Sequence, residues 1–162
     1  MKSLLKKLFP TSYSFYLFSL VVFSLMILTF KLGTIPNGFH WDELANGYSA
    51  YSIMMTGKDE WGVHLPIFIQ SFGDFKSAFL SYAIIPFFKL GGINETMVRL
   101  PGVLLAVLGV FSFVKFLSFK NKSLALLGGL VLATNPWFLH YARIAFEPMP
   151  SLGIMLAGLW LW

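Results

Sequence analysis

The sequence predicts an all-α polytopic integral membrane protein, and three observations carry that reading. Hydrophobic residues make up 57% of the 162-residue chain and charged residues only 12%, with a mean hydropathy of +0.73. A soluble domain of this size cannot hide so much apolar surface. Charge-free runs of spanning length alternate with short polar segments. The basic residues behind the net charge of +5 sit in small clusters beside those runs, which marks membrane topology and not a nucleic-acid footprint, so no nucleic-acid partner is expected. There is no cysteine, which excludes disulfides and thiolate metal sites.

Lys2, Lys6 and Lys7 precede a charge-free run from Leu8 to Phe30. No small-residue cleavage site follows it, so it reads as a retained transmembrane helix over about 12–31, with a cytoplasmic N-terminus. The segment 32–97 is then an outer loop that carries six of the seven acidic residues. Within it, Ser77–Phe88 is apolar, but it is only 12 residues long between Lys76 and Lys89 and contains Pro86. That length is too short to cross, and predicts an interfacial or re-entrant helix.

A second spanning helix is predicted over about 98–118. Lys115 near its end joins Lys120 and Lys122 in a short basic loop, which belongs on the cytoplasmic side. A third, over about 123–141, has no charge from Ser123 to Ala142 and returns the chain to Arg143 and Glu147. Pro148 suits the first turn of a fourth helix, 148–162. This topology puts all seven acids on the non-cytoplasmic face. Because the chain stops at Leu159-Trp160-Leu161-Trp162, inside an apolar run, it reads as the N-terminal part of one longer membrane-embedded domain.

The outer loop opens on Gly38-Phe39-His40-Trp41-Asp42-Glu43. Beyond it, Leu44, Tyr48, Tyr51 and Met55 recur at helical spacing, with Gly57 as a stop, so a short helix over 42–57 is predicted. Asp42 lies roughly 150° from the centre of that apolar stripe at 100° per residue. The two acids also suit a helix start for purely local reasons.

Four polar groups thus face the outer side: Asp42-Glu43, Asp74 with Lys76, Arg99, and Arg143 with Glu147. Carboxylates beside cations near a membrane suit one chemistry in particular. A carboxylate takes a proton from an acceptor hydroxyl, while cations, or a divalent metal ion held by the acids, stabilise a departing phosphate. Asp74 and Lys76 also make sense as a local ion pair, and Arg99 and Arg143 as anchors to lipid phosphates. His40, His64 and His140 are isolated and read as ordinary polar residues. The acceptor patterns at Asn94-Glu95-Thr96 and Asn121-Lys122-Ser123 fall on opposite predicted sides, so at least one is chance.

Taken in order, Pro36…Trp41-Asp42-Glu43…Tyr48…Gly57, Pro66, Asp74-x-Lys76, Gly91…Val98-Arg99-Leu100-Pro101 and Arg143…Glu147-Pro148 resemble the N-terminal region of the C-type glycosyltransferase superfamily. The similar branch is that of protein O-mannosyltransferases and aminoarabinose-lipid A transferases. The resemblance covers about residues 30–150. It implies a catalytic carboxylate at Asp42 with Glu43 beside it, a phosphate- or metal-binding pair at Asp74 and Lys76, and a second acidic position at Glu147 that would join Asp74 on a metal. Arg99 and Arg143 are expected to bind phosphate from their place as cations at the outer boundary. It departs from the family where Lys76 is followed by Ser77-Ala78 instead of proline, and where Glu stands at 147 in place of the commoner Asp.

The implied activity is transfer of a sugar from a polyprenyl-phosphate donor to an acceptor on the outer face of a bacterial or archaeal plasma membrane, with membrane lipids as the other partners. A polytopic transporter is the competing class, but it would place its acids near the middle of spanning helices. An inactive fragment or structural membrane subunit is the third.

Overall fold

The computed structural model describes residues 12–162, so Lys2, Lys6 and Lys7, on which the predicted orientation rests, lie outside the described residues. Seven helices and one hairpin follow in order: α1 Ser12–Thr29, α2 Trp41–Thr56, β1 Phe68–Ser71, β2 Asp74–Ser77, α3 Phe79–Gly91, α4 Glu95–Ser118, α5 Lys122–Thr134, α6 Pro136–Ala142 and α7 Pro148–Leu161. Two helices, α1 and α4, are long and apolar enough to cross a membrane, and α5 with α6 makes a third if the bent pair counts as one span.

α4 is the axis. It packs against α7, α5, α3 and α1, and its Val103, Val107 and Val110 meet Leu17, Leu20 and Leu28 of α1 in the main core. Small residues set the α4–α7 approach. A β-carbon on Gly109 would lie 3.2 Å from the Gly153 Cα, and one on Gly153 would run into the Leu105 carbonyl. Asn94 starts α4, its side chain accepting from the Met97 amide at 3.1 Å, so the helix begins three residues before the predicted 98.

Two expectations need correction. The predicted single helix over 123–141 is broken between α5 and α6, which meet at a 61° bend. Proline disfavours the helical conformation in the residue before it, and Asn135 is accordingly extended (ψ 126°). Its side chain then caps α6 by accepting from the Phe138 amide at 3.2 Å.

The second correction is to the all-α class, because the segment between α2 and α3 contains an antiparallel hairpin. Phe72 (φ 51°) and Gly73 (φ 84°) form its two-residue turn, and positive φ at both central residues is what a type I′ turn requires. Register pairs Ile69 with Lys76 and Ser71 with Asp74. Directly opposed residues share a face, so Asp74 and Lys76 lie on the side of buried Ile69 and Ser71. Ile69 packs with Ile53 of α2 and Ala78, and this clamps the hairpin to α2. Tyr82 of α3 donates to the Pro66 carbonyl at 3.0 Å. Burial first, then the Asp59 charge, pushes its phenol pKa up, which keeps it a donor.

α2 is built with its polar face inward. Glu43, Asn46, Ser49 and Ala50 are buried, while Leu44, Tyr48, Tyr51 and Met55 are exposed. The stripe predicted from spacing is real, and it points away from the rest of the protein. Gly57 (φ 71°) ends the helix in the left-handed region, as expected.

Candidate functional site

The N-terminus of α2 carries two acids with opposite fates. Glu43 is fully buried. Its Oε1 accepts from Arg99 Nε at 2.8 Å and from the Ala145 amide at 3.1 Å. Its Oε2 accepts from Arg99 Nη2 at 3.3 Å and from the His40 amide at 3.0 Å, closing a capping box. Four charge-assisted or backbone bonds leave this carboxylate no room for a substrate proton. Glu43, beside Asp42 in the chain, ties α2, α4 and the α6–α7 connection together.

Arg99 and Arg143 also depart from expectation. Arg99 is fully buried, and beyond Glu43 it donates to the carbonyls of Leu32 (2.7 Å), Pro36 (3.1 Å) and Gly38 (2.6 Å). Arg143 donates to the carbonyls of Ile27 (2.8 Å), Leu28 (3.2 Å), Phe30 (2.6 Å) and Ile35 (2.8 Å). Helix α1 leaves its last carbonyls without partners, and a cation there also suits the negative end of the dipole. Among the described residues no carboxylate pairs with Arg143, and burial followed by the nearby Arg99 charge pushes its pKa down. Neither guanidinium faces a cleft: both staple the segment after α1 to the bundle.

Asp42, one residue before Glu43, faces open space. Its Oδ1 accepts from Lys76 Nζ at 3.1 Å, and its side chain is 21% exposed. The same Lys76 nitrogen lies 3.8 Å from Glu147 Oε1. These three and Asp74 line a cleft of ≈ 400 Å³, walled by Trp41, Phe72, Phe75 and Phe146. The strand pattern of β2 brings Lys76 and Asp74 there, the first turn of α2 supplies Asp42, and the start of α7 supplies Glu147. His40 touches Asp42 twice: Nδ1 lies 3.4 Å from the Asp42 amide and 3.3 Å from Oδ2. Nδ1 accepts from the amide when it lacks a hydrogen and donates to the carboxylate when it carries one, so the two contacts belong to different tautomers.

Asn46 went unremarked in the sequence and holds the cleft's far side. It is fully buried, donates to the Ala145 carbonyl at 3.2 Å and to Glu147 Oε1 at 2.9 Å, and accepts from Ser81 Oγ at 3.4 Å. Its signal was its phase, since Glu43, Asn46 and Ala50 share one face opposite the apolar stripe.

Asp74 and Glu147, the expected holders of a divalent ion, both line this cleft. Among the described residues, no three His, Asp or Glu side chains group as metal ligands. The Lys76 ammonium lies between Asp42 and Glu147, where it would compete with an ion for their oxygens.

Fold and site together define a mostly helical protein with two helices of spanning length and character, and a carboxylate–lysine cleft built by a hairpin and two helix starts. No family model, curated protein or solved structure matches the chain.

Proposed function

We propose that this chain forms the catalytic outer-face portion of a membrane glycosyltransferase that uses a polyprenyl-phosphate-linked sugar, with Asp42 as general base. The observation that supports this most is the part-open Asp42 carboxylate, 3.1 Å from the Lys76 ammonium in a cleft of ≈ 400 Å³. The exposed apolar residues of α1, α4 and α5, such as Phe18, Met26, Leu104 and Val131, then face lipid. The loop 32–97 lies on the outer side, where a lipid-borne donor presents its sugar.

In this reading Asp42 takes the proton of an acceptor hydroxyl as that oxygen bonds to the anomeric carbon. The bond between that carbon and the phosphate oxygen breaks, and polyprenyl phosphate leaves with the electron pair. Three carboxylates against one ammonium make the cleft formally negative, so Lys76 cannot serve a phosphate while it neutralises Asp42. Proton uptake solves this. Once Asp42 is neutral, Lys76, on its flexible four-carbon stem, is released to the oxygen that gains charge. Protonation of the base and transfer of the ammonium to the leaving phosphate are therefore coupled in one step.

The test is release of polyprenyl phosphate from a polyprenyl-phosphate hexose, dependent on acceptor and on the purified full chain. Asp42→Asn lowers the rate on the order of 10²–10⁴-fold, the worth of general-base catalysis. Single cysteines at Asn94 and Lys122 report sidedness with an impermeant reagent, and labelling of both from one side contradicts the proposed topology.

A further inference from the structure

A second cleft, of ≈ 530 Å³, adjoins the Asp42 cleft and shares Trp41, Ser71 and Phe72 with it. Its apolar surface is mostly aromatic, with Trp41, Tyr48, Trp61 and Phe72 beside Leu44 and Ala45. Trp61 is held in place, because its indole Nε1 donates to the Gln70 carbonyl at 2.9 Å. The Trp41 and Phe72 rings lie 6.1 Å apart at 47°. Glu60, Gln70 and Ser71 also line the cleft, the last two at the edge of β1 and on its opposite faces. Among the described residues none hydrogen-bonds to the Glu60 carboxylate, the Gln70 side-chain amide or the Ser71 hydroxyl.

Large aromatic faces and a few convergent polar groups are what a small-molecule site needs, and here the polar groups select the class. Glu60 accepts only, while Ser71 and Gln70 both accept and donate, a set suited to a ligand rich in hydroxyl groups. An anion is disfavoured by Glu60. A proline-rich peptide offers mainly carbonyl acceptors, and of the two indole N–H donors in the cleft that of Trp61 is already engaged. A pyranose has apolar C–H faces for the rings and equatorial hydroxyls for the acids and amides.

We infer that the Trp41–Trp61–Phe72 cleft binds a neutral saccharide, and that this saccharide is the acceptor, its hydroxyl delivered across Ser71 and Trp41 to Asp42. The word acceptor rests on the transferase reading; the binding does not. It is tested by saturation-transfer NMR on the full chain in detergent, with maltotriose, mannotriose and chitotriose as probes. At least one of them receives saturation on its ring C–H protons, with affinity about tenfold weaker in Trp61→Ala, the worth of one lost stacking contact. Glu60→Ala weakens it similarly, and since the Glu60 carboxylate has no partner among the described residues, that variant separates binding from folding. Asp42→Asn keeps it. No binding by any of the three, or binding untouched by both cleft variants, overturns the assignment. So does preferential capture of an oligoproline peptide lost in the same variants. If saccharide binding holds while Asp42→Asn transfers normally, the cleft stands and only the transferase reading falls.

Discussion

Asp42 and Glu43 are adjacent in the chain and belong to two different kinds of polar cluster. Around Glu43 every lone pair and every facing N–H is matched, both side chains of the Glu43–Arg99 pair are fully buried, and the backbone from Leu32 to Gly38 is tied in by the same guanidinium. Around Asp42 the partners are fewer, the side chains of Asp42, Lys76 and Glu147 keep 15–23% of their exposure, and one ammonium serves two acids. A saturated network resists change because removing any member strands a buried charge. An unsaturated one retains capacity for a ligand. Neighbouring carboxylates of the same helix turn are in this way divided between a closed, buried network and an open cleft.

That division is sharpened most by breaking the closed cluster. Arg99→Ala leaves Glu43 and three backbone carbonyls without their donor, and thermal unfolding in detergent should show a loss of about 3–5 kcal/mol. In the double variant Arg99→Met with Glu43→Leu, removing both charges recovers part of that loss. Lys76→Ala acts on the open cluster instead. It removes one charge-assisted bond and should weaken donor use by about 1.5–3 kcal/mol, with the unfolding midpoint little changed. The smallest effect is expected at Asp74, whose Oδ1 accepts from the Phe75 amide at 2.7 Å within the hairpin. Asp74→Asn keeps that bond and lowers the cleft's negative charge, so donor KM should stay level or fall. A large loss of turnover on this change would point to a metal ligand and against the role given to Lys76.

Much of this was legible in the sequence. Periodicity gave α2 and its exposed stripe, the short apolar run with Pro86 gave α3, and Pro148 gave the start of α7. The Asn135–Pro136 break was also written there, in a dipeptide that commonly ends helices, but the uninterrupted apolar pattern concealed it. The hairpin was hidden for another reason. Its strands are four residues each, and Asp74-Phe75-Lys76-Ser77 has none of the β-branched content that marks a strand. Arginine roles were the least legible. Position near an apolar boundary suits a lipid or phosphate anchor as well as a staple, and only the carbonyls of 27–38, brought back by the fold, decide between them.

The most direct test pairs Asp42→Asn with Glu43→Gln in the full chain, measuring thermal unfolding and sugar transfer from a polyprenyl-phosphate donor on the same preparations. A crossed result is predicted. Asp42→Asn unfolds within about 0.5 kcal/mol of the parent, as expected for a partly exposed side chain, and loses transfer on the order of 10²–10⁴-fold. Glu43→Gln loses about 3 kcal/mol or more of stability, yet its folded fraction turns over at a rate near the parent's. Near-parental transfer by well-folded Asp42→Asn, or full stability with lost transfer in Glu43→Gln, would contradict the division between the two acids.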